Sequence, residues 1–477
     1  MKNKFGKIFI IVFLVICLIP SLGMTVAKNE TTNENRALAE FPAVKSENGE
    51  FNVQFFTQLG DYFNDHFAFR SRIISVDSFI QAKLFGTSNV DTVVVGTDGW
   101  LYYKDTINNY KGRHLMSDRA VNNVIHNIEL IKEYVEANGA ELLVTIAPNK
   151  NTLYDENMPY YLKGRSTKTS DAHTVGEILK EKGVNYTDLF ELFRNQNETL
   201  YFKRDSHWNT MGAHLVYNEI MQNLNMEFDD YAHCQIKTDE NYLGDLHKMV
   251  YPLSDEGEAD KYYDYEKTYT VTTPDDNPES ALIITENPGK QSRLLMYRDS
   301  FGNSLYPIFA NAFGKAVFSK ATPYNLSLNM LSYKPDVVVI EKVERNLFDF
   351  AQYPAVFPSP ERVIPDEFEE IESAIELKAE YSQTNTGYIE LTGAVSDSGM
   401  GSDGNIYLSV DDGSERKFYE AFSLSADGND NCFKVIIEKD KLLSESVTAE
   451  IFTEASGRYI KLSEQIIDIS DIQEVEF

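Results

Sequence analysis

The chain has 477 residues, a mass of 54.3 kDa, 44 basic and 74 acidic side chains, and therefore a formal net charge of −30 with histidine neutral. This charge repels phosphate backbones, and no run of lysine and arginine offsets it, which argues against nucleic acid as a partner. Hydrophobic residues make up 42% of the chain and aromatic residues 12%. This composition excludes global disorder and suits about two or three folded domains.

The N-terminal residues predict export. Residues 1–7 carry three lysines, and residues 8–27 contain no charged side chain. A helix of ~20 such residues reaches across a bilayer core of ~30 Å. Residues 1–27 are therefore either a signal peptide, with Thr25-Val26-Ala27 as its cleavage site, or a retained anchor with the lysines inside, which we favour. Residues 28–50 are predicted to form a polar tether.

The elements that follow lead into a main domain, which we place at residues 51–365. Apolar residues at helical spacing predict two helices within residues 51–85 and one long helix over residues 117–138. Between them, Val93-Val94-Val95 predicts a short strand that ends in a tight turn at Thr97-Asp98-Gly99.

Aliphatic runs then alternate with helical patterns. The runs are short and continuous enough to be buried on both faces of a sheet, and they comprise residues 142–147, 292–297, 316–319 and 336–343. The alternation predicts an α/β domain with a parallel sheet over about residues 90–350. Residues 257–288 are acidic and turn-rich, so we expect an insertion or a peripheral hairpin there.

The chain changes character after the prolines of residues 354–365. Within residues 380–477, short segments of alternating apolar and polar positions are separated by Gly, Asp, Asn and Ser. The segments are residues 387–394, 406–410, 418–424, 433–437, 447–452 and 459–462. This pattern predicts a small all-β module, with a sandwich as the favoured architecture.

One of the eight histidines stands in a position suited to catalysis. His207 lies in the loop Asp205-Ser206-His207-Trp208, just before a helix predicted to begin near Thr210. An Asp two residues before a His on an irregular turn can hold the Nδ1–H of the ring, fix its tautomer and stabilise the imidazolium. A structural hydrogen bond explains most pairs of this kind, so the pair alone leaves both interpretations open.

A serine also stands where a nucleophile would be useful. The strand that ends at Tyr297 is followed by Arg298-Asp299-Ser300-Phe301-Gly302 and then by a helical stretch over residues 305–313. A serine there meets the positive end of a helix and free backbone N–H groups, which can stabilise an oxyanion after attack on an ester carbonyl. The alternative interpretation is that Ser300 is only a helix N-cap.

Six blocks of sequence resemble, in their order, the SGNH hydrolase-like proteins of polysaccharide O-acetylation, which are the AlgX/AlgJ type and its DHHW relatives. The blocks are NRAL (35–38), NDHFAFR (64–70), VGTDGWLY (95–102), DSHWN (205–209), RDSFG (298–302) and KPDVV (334–338). The resemblance implies a flavodoxin-like domain outside the membrane with a catalytic triad. In that triad Ser300 would be the nucleophile, His207 the general base and Asp205 its orienting carboxylate.

The sequence departs from this family at one position and follows a branch of it in block order. In the DHHW relatives a histidine directly follows the Asp, whereas Ser206 does so here. The His block precedes the Ser block, which is the order of the AlgX/AlgJ type and the reverse of ordinary SGNH esterases.

The remaining candidate site residues are oxyanion donors and an aromatic ring. The first oxyanion donor is the backbone N–H of Ser300, and the second is Asn149 or Lys150 in the turn after the 142–147 strand, where a plain turn is the alternative. Trp208 either packs against the domain or stacks on a sugar ring. No His or Cys spacing fits a metal site, and we expect neither a metal nor a cofactor.

Together these features favour an extracytoplasmic O-acetyltransferase that takes an acetyl group on Ser300 and passes it to a hydroxyl of a surface or exported polysaccharide. Because acetyl-CoA is absent outside the cell, the resemblance implies a multispanning membrane acyltransferase as the acetyl donor. Two alternatives stay open. One is a carbohydrate acetyl-esterase with the same triad, and the other is a non-catalytic glycan-binding protein of the cell surface.

Overall fold

The computed structural model describes residues 2–24, 38–45, 50–81, 87–113, 115–164, 170–371, 373, 375–382, 387–395, 401–442, 444, 446–455 and 457–469. Its helices are α1 (Lys2–Gly23), α2 (Phe55–His66), α3 (Arg70–Ile80), α4 (Thr106–Tyr110), α5 (Asp118–Ala137), α6 (Lys150–Leu153), α7 (Asp171–Glu181), α8 (Leu189–Arg194), α9 (Thr210–Asn223), α10 (Asp245–Val250), α11 (Tyr306–Ala312), α12 (Leu326–Tyr333) and α13 (Asp349–Gln352). Short 3-10 turns comprise Asp155–Asn157, Phe301–Asn303, Glu344–Asn346 and Lys439–Lys441.

The strands of the α/β part are β1 (Val93–Val95), β2 (Leu101–Tyr103), β3 (Glu141–Ala147), β4 (Asn185–Thr187), β5 (Ile236–Tyr242), β6 (Glu258–Tyr263), β7 (Thr270–Val271), β8 (Leu282–Glu286), β9 (Arg293–Tyr297), β10 (Lys315–Ser319) and β11 (Val337–Val343). The later strands are β12 (Glu361–Arg362), β13 (Glu369–Glu370), β14 (Lys378–Tyr381), β15 (Tyr388–Ala394), β16 (Asn405–Asp411), β17 (Arg416–Glu420), β18 (Phe422–Ala426), β19 (Asn429–Glu438), β20 (Ser446–Ala455) and β21 (Arg458–Asp468).

Seven strands form the central sheet in the order β4-β3-β11-β9-β10-β8-β7. The first five run parallel to one another, which confirms the predicted α/β domain with a parallel sheet. The four aliphatic runs of the sequence are β3, β9, β10 and β11. Strand β11 is buried at every position, as expected for a central strand that is covered on both faces.

The prediction for residues 257–288 was only partly right. Strand β6 pairs with β5 in a separate antiparallel ribbon, as a peripheral hairpin would. Strands β8 and β7, however, extend the central sheet beyond β10. Strand β8 runs antiparallel to β10, and β7 runs antiparallel to β8, so the sheet is mixed. The reason is the apolar run at the start of β8, where Ile283 is fully buried and pairs with Phe318 of β10.

Helices cover both faces of the sheet. Helices α5, α7, α12 and α13 contribute to an apolar core on one face. Helices α8, α9 and α11 contribute to a second core on the other face. Successive residues of β9 enter alternate cores: Leu294 and Met296 belong to the second, and Leu295 and Tyr297 to the first. This alternation follows from the two-residue repeat of a strand.

The C-terminal part is all-β, as predicted. A six-stranded sheet, β12-β17-β16-β20-β21-β13, and a four-stranded sheet, β14-β15-β19-β18, share one apolar core. The module packs on α5, where Asn127 Nδ2 donates hydrogen bonds of 2.7 Å to the backbone oxygens of Phe350 and Ser423. A buried amide of α5 therefore ties the module to the α/β domain.

The N-terminal predictions are described in part. Of the predicted tether, residues 38–45 and 50 lie among the described residues. Within the described part of the chain, no helix is both long and apolar enough to cross a membrane.

Three adjacent parallel strands position the candidate site. Strands β3, β11 and β9 end at the same edge of the sheet, where loops of open α/β folds usually carry ligand-binding residues. Asn149 follows β3, Arg345 follows β11, and Ser300 follows β9. The loop between α8 and α9 brings Asp205 and His207 to the same edge.

Candidate active site

The three side chains predicted to cooperate form one hydrogen-bonded series. His207 Nε2 lies 2.8 Å from Ser300 Oγ, and His207 Nδ1 lies 2.7 Å from Asp205 Oδ1. Asp205 is 3% exposed, whereas Ser300 and His207 are half-buried. A hydroxyl, an imidazole and a carboxylate in this order can move a proton from the oxygen to the ring while the carboxylate stabilises the resulting imidazolium.

Ser300 stands at the N-cap position of the 3-10 turn Phe301–Asn303, but its side chain makes no capping hydrogen bond to that turn. Capping therefore does not account for the hydroxyl at this position. The turn is instead held by the preceding residue. Asp299 Oδ1 accepts from the backbone N–H of Phe301 at 2.9 Å, and Asp299 Oδ2 accepts from the backbone N–H of Val343 at 2.8 Å. Ser300 Oγ is thereby left free to face His207.

The carboxylate of Asp205 is fixed by four hydrogen bonds. Its Oδ1 faces Nδ1 of the His207 ring and also accepts from the backbone N–H of His207 at 2.9 Å. Its Oδ2 accepts from the backbone N–H of Asp245 at 2.8 Å and from the hydroxyl of Tyr242 at 3.1 Å. Tyr242 is a site residue that the sequence did not reveal, because its role depends on the fold of β5.

The pKa of Asp205 is lowered and the pKa of His207 is raised. Burial alone would raise the pKa of Asp205, but the charge of His207 and the hydrogen bonds to the carboxylate lower it. Burial alone would lower the pKa of His207, but the charge of Asp205 and its hydrogen bond raise it. The arrangement therefore favours an ionised carboxylate beside a ring that readily accepts a proton.

A second carboxylate lies beside the first. Asp245 Oδ1 accepts from the backbone N–H of Ser206 at 2.8 Å, and Asp245 Oδ2 accepts from Ser206 Oγ at 2.5 Å. Asp245 Oδ2 is also 3.8 Å from His207 Nδ1. Ser206, where the sequence departs from the DHHW pattern, therefore holds the carboxylate of Asp245 beside the triad.

Gly244 lies directly against this loop. A Cβ atom at this position would be 2.4 Å from the backbone oxygen of Arg204 and 2.9 Å from Cβ of Asp205. Real Cβ atoms do not approach other atoms so closely. The residue must therefore be glycine for the Asp205 loop to keep its position.

Lys150 lies in the predicted turn, where it begins α6, but its side chain is used elsewhere. This side chain is 4% exposed, and Nζ donates to the backbone oxygens of Phe202 at 3.1 Å, Lys203 at 3.0 Å and Asp205 at 2.5 Å. Burial lowers the pKa of Lys150 to about 8, although the charge of Asp205 opposes this change. The side chain of Lys150 therefore holds the Asp205 loop and does not serve as an oxyanion donor.

Asn149 is only partly available as an oxyanion donor. Its backbone N–H is already used, because it donates to Glu344 Oε2 at 3.0 Å. Its side-chain Oδ1 accepts from Arg345 Nη1 at 3.0 Å, while its buried Nδ2 has no hydrogen-bond partner. A donor at this residue must therefore be the carboxamide and not the backbone.

Arg345 is a further site residue that the sequence did not single out. Its guanidinium lies 5.7 Å from the centroid of the Phe301 ring and 5.5 Å from that of Tyr103. Phe301 in turn lies 4.7 Å, centroid to centroid, from the ring of His207. The positive charge of Arg345 acts to lower the pKa of His207.

Trp208 packs within the domain and does not offer a ring face to a sugar. Its side chain is 1% exposed, and Nε1 donates to Ser304 Oγ at 2.8 Å. Its ring contacts Phe301 edge to face at 4.9 Å. Of the two alternatives, the burial of the ring favours packing, and Trp208 supports the turn that carries Ser300.

One set of side chains in the described part of the chain has the composition of a metal site. Ligand atoms of Asp205, His207 and Asp245 lie within 4.8 Å of one another. Their facing atoms are already joined by the hydrogen bonds given above, and His207 directs its other nitrogen to Ser300. The geometry thus suits proton transfer to and from Ser300.

Comparison with known protein families finds a match to part of the chain. Residues 93–291 match the family described as the SGNH hydrolase-like domain of acetyltransferase AlgX. The match includes Asp205 and His207 and ends nine residues before Ser300. No curated protein matches the chain.

Several solved structures are similar. Bacillus cereus PatB1 is 17% identical, with 54% of this chain and 96% of that chain covered and a TM-score of 0.43. The O-acetyltransferase domain of Pseudomonas putida AlgJ is 18% identical, with 54% and 92% covered and a TM-score of 0.36. Pseudomonas aeruginosa AlgX is 13% identical, with 78% and 90% covered and a TM-score of 0.34. Residues 93–291 are thus similar to the SGNH hydrolase-like domain of acetyltransferase AlgX, the type of protein that the sequence blocks resemble.

Proposed function

We propose that this protein is an extracytoplasmic O-acetyltransferase that moves acetyl groups to hydroxyls of a surface or exported polysaccharide through an acyl-enzyme on Ser300. The observation that carries the proposal is the 2.8 Å contact between Ser300 Oγ and His207 Nε2, with Asp205 behind the ring at 2.7 Å. The AlgX family match over residues 93–291 supports acetyl transfer as the reaction class.

The reaction has two stages. In the first, His207 removes the proton of Ser300 Oγ as this oxygen attacks the carbonyl carbon of the donor ester, and the leaving oxygen then takes the proton from His207. In the second, His207 removes a proton from a sugar hydroxyl, whose oxygen attacks the acetyl carbon. The bond to Ser300 breaks, and Ser300 Oγ recovers the proton. Asp205 stabilises the imidazolium in both stages.

The negative oxygen of each tetrahedral intermediate needs hydrogen-bond donors. We assign the backbone N–H of Ser300 as the first donor. The second is the carboxamide Nδ2 of Asn149, because Arg345 fixes the oxygen of this amide and leaves its nitrogen without a partner. Removal of one such donor typically costs about 10²- to 10³-fold in kcat.

The acetyl donor must come from the membrane side. The charge-free residues 8–27 predict export, either with cleavage or with retention as an anchor. Outside the cell there is no acetyl-CoA, so a multispanning membrane acyltransferase is the proposed donor partner. The polysaccharide is the acceptor, and neither a cofactor nor nucleic acid takes part.

A trapping experiment tests this proposal. The full chain, purified in mild detergent, is incubated with an acetyl ester, and the mass of the peptide that contains Ser300 is measured with and without a glycan acceptor. We expect an acetyl group on Ser300, its transfer to the glycan, and the loss of both in Ser300→Ala. A matched control, Ser332→Ala, removes an exposed hydroxyl of α12 and keeps the hydroxyl at position 300.

The outcomes separate the alternatives. Acetate released to water with none on the glycan would favour the esterase. Equal, measurable turnover of the ester by Ser300→Ala and by the unaltered chain would exclude an acyl-enzyme at this position. No turnover by either of them would favour the non-catalytic glycan-binding protein.

A further inference from the structure

A cleft of about 390 Å³ opens where the α/β domain meets the C-terminal module. Six charged side chains line it, namely Asp105, Arg113, Asp171, Glu344, Arg345 and Asp430. The volume falls within the range of small-ligand sites, about 300–1,000 Å³. Asp430 is the contribution of the module, and it is anchored across the boundary because Ser117 Oγ donates to its Oδ2 at 2.5 Å.

One side chain of the cleft is linked to the triad. Arg345 lines the cleft, and its guanidinium lies 5.7 Å from the ring centroid of Phe301, the residue after Ser300. The ring of Phe301 contacts the ring of His207. The end of a bound chain molecule that reacts is therefore taken to be the end at Arg345.

The charges of the lining side chains disfavour one class of sugar polymer, the polymers that carry carboxylates. Carboxylates and guanidinium groups bind hydroxyls well, as charged hydrogen-bond partners do. Among the six charged side chains, four are acidic and two are basic, and the whole chain carries a net charge of −30. One of the two cations, Arg345, already donates to Asn149. A polymer with a carboxylate on each sugar would therefore meet repulsion within the cleft.

We propose that this cleft binds the acceptor and that the acceptor is a glycan without carboxylates, either neutral or bearing free amino groups. The inference rests on the proposed acetyl transfer and adds to it the chemical class of the substrate. Free amino groups pair with the acidic lining, so an amino-sugar oligomer binds at least as well as a neutral one.

Binding of matched oligosaccharides tests the inference. The full chain, without an acetyl donor, is titrated with a neutral glucose oligomer, a glucosamine oligomer and a uronic acid oligomer of equal length. We expect the first two to bind at least ~10-fold more tightly than the uronic acid oligomer. Asp105→Lys should reduce this preference by about 10-fold, and Asp430→Asn, which keeps the contact with Ser117, should reduce it less.

Glu198→Lys is the control. It makes the same charge change as Asp105→Lys at an exposed position outside the cleft, so it should leave the preference unchanged. Binding of the uronic acid oligomer as tight as that of the others, absence of binding to all three, or equal effects of Asp105→Lys and Glu198→Lys would each overturn the inference. Acetyl trapping on Ser300 needs no glycan, so it reports separately on whether the proposed reaction itself fails.

Discussion

The ammonium group of Lys150 donates to the backbone oxygen of Asp205 at 2.5 Å, and its other two N–H donors reach the carbonyl oxygens of Phe202 and Lys203. A protonated lysine has three donors, and all three are used to hold the loop that carries the carboxylate of the triad. The position of Asp205 thus depends on a residue 55 positions earlier in the chain.

The first prediction concerns Lys150→Met, which keeps an unbranched apolar stem but removes the donors. The carbonyl groups of Phe202 and Asp205 then lose the lysine donor, whereas that of Lys203 still accepts from the backbone N–H of Leu101 at 2.9 Å. Each buried unsatisfied group costs about 1–3 kcal/mol. We expect kcat/KM to fall at least ~100-fold as Asp205 moves. Lys132→Met, at a surface pair with Glu136, is the control and should change kcat/KM by less than about twofold.

The titration of Lys150 predicts the direction in which activity and the free energy of unfolding change with pH. Burial lowers the pKa of Lys150 from 10.5 to about 8, so above this pH one of the three N–H donors is lost and activity should decline. Between about pH 8 and 10.5 the unfolded chain binds more protons at this residue, so the contribution of Lys150 to the free energy of unfolding should rise. An alkaline limb that persists unchanged in Lys150→Met would contradict this assignment.

Much of the site was predictable because its sequence signals are local. Asp205 and His207 are two residues apart, and Ser300 directly follows a recognisable buried strand, so the chain order alone pointed to both loops. Lys150 was placed in the right turn, but its side-chain direction depends on how the Asp205 loop folds over it. Asp245 and Arg345 come from distant elements, and no local pattern distinguishes them from surface charges.

The same reasoning explains the limits of the fold prediction. The buried strands of the parallel sheet are continuous aliphatic runs, which are readable in isolation. Strands β7 and β8 lie in an acidic, turn-rich segment, and only their pairing with the edge of β10 makes them part of the sheet.

The second prediction concerns the close packing of Gly244. Because a Cβ atom would lie 2.4 Å from the backbone oxygen of Arg204, Gly244→Ala should displace the Asp205 loop. A shift of about 1 Å at a catalytic group can cost ~100-fold, so we expect a loss of about 10- to 100-fold in kcat with a smaller change in KM. Gly289→Ala is the control, since its nearest atom would be at an ordinary 3.5 Å. Equal kcat values for the two variants would show that the loop tolerates the added methyl group.

The third prediction is a change in the acid limb of the pH profile. The charges of Asp205 and Asp245 act to raise the pKa of His207 against the effect of burial. Asp245→Asn removes one of these charges, so the pKa of His207 should fall and the rise of kcat/KM with pH should move to lower pH. Asparagine keeps an oxygen for the backbone N–H of Ser206 but places an amide nitrogen against Ser206 Oγ, in place of the oxygen that accepts there. Loss of this one contact should also reduce kcat by roughly 10-fold. Glu240→Gln, an exposed carboxylate on β5, should do neither.

The fourth prediction concerns Arg345→Gln, which should shift the pKa of His207 in the opposite direction. The charge of Arg345 acts to lower the pKa of His207, so Arg345→Gln should raise this pKa and move the acid limb of kcat/KM to higher pH. Glutamine still has an N–H donor for Asn149 Oδ1, but the loss of the rigid guanidinium should loosen the amide and reduce kcat by about 10-fold. Arg194→Gln, on the exposed side of α8, serves as the control for loss of a positive charge. An acid limb that moves to lower pH, or that moves equally in the two variants, would mean that Arg345 does not act on the imidazole at position 207.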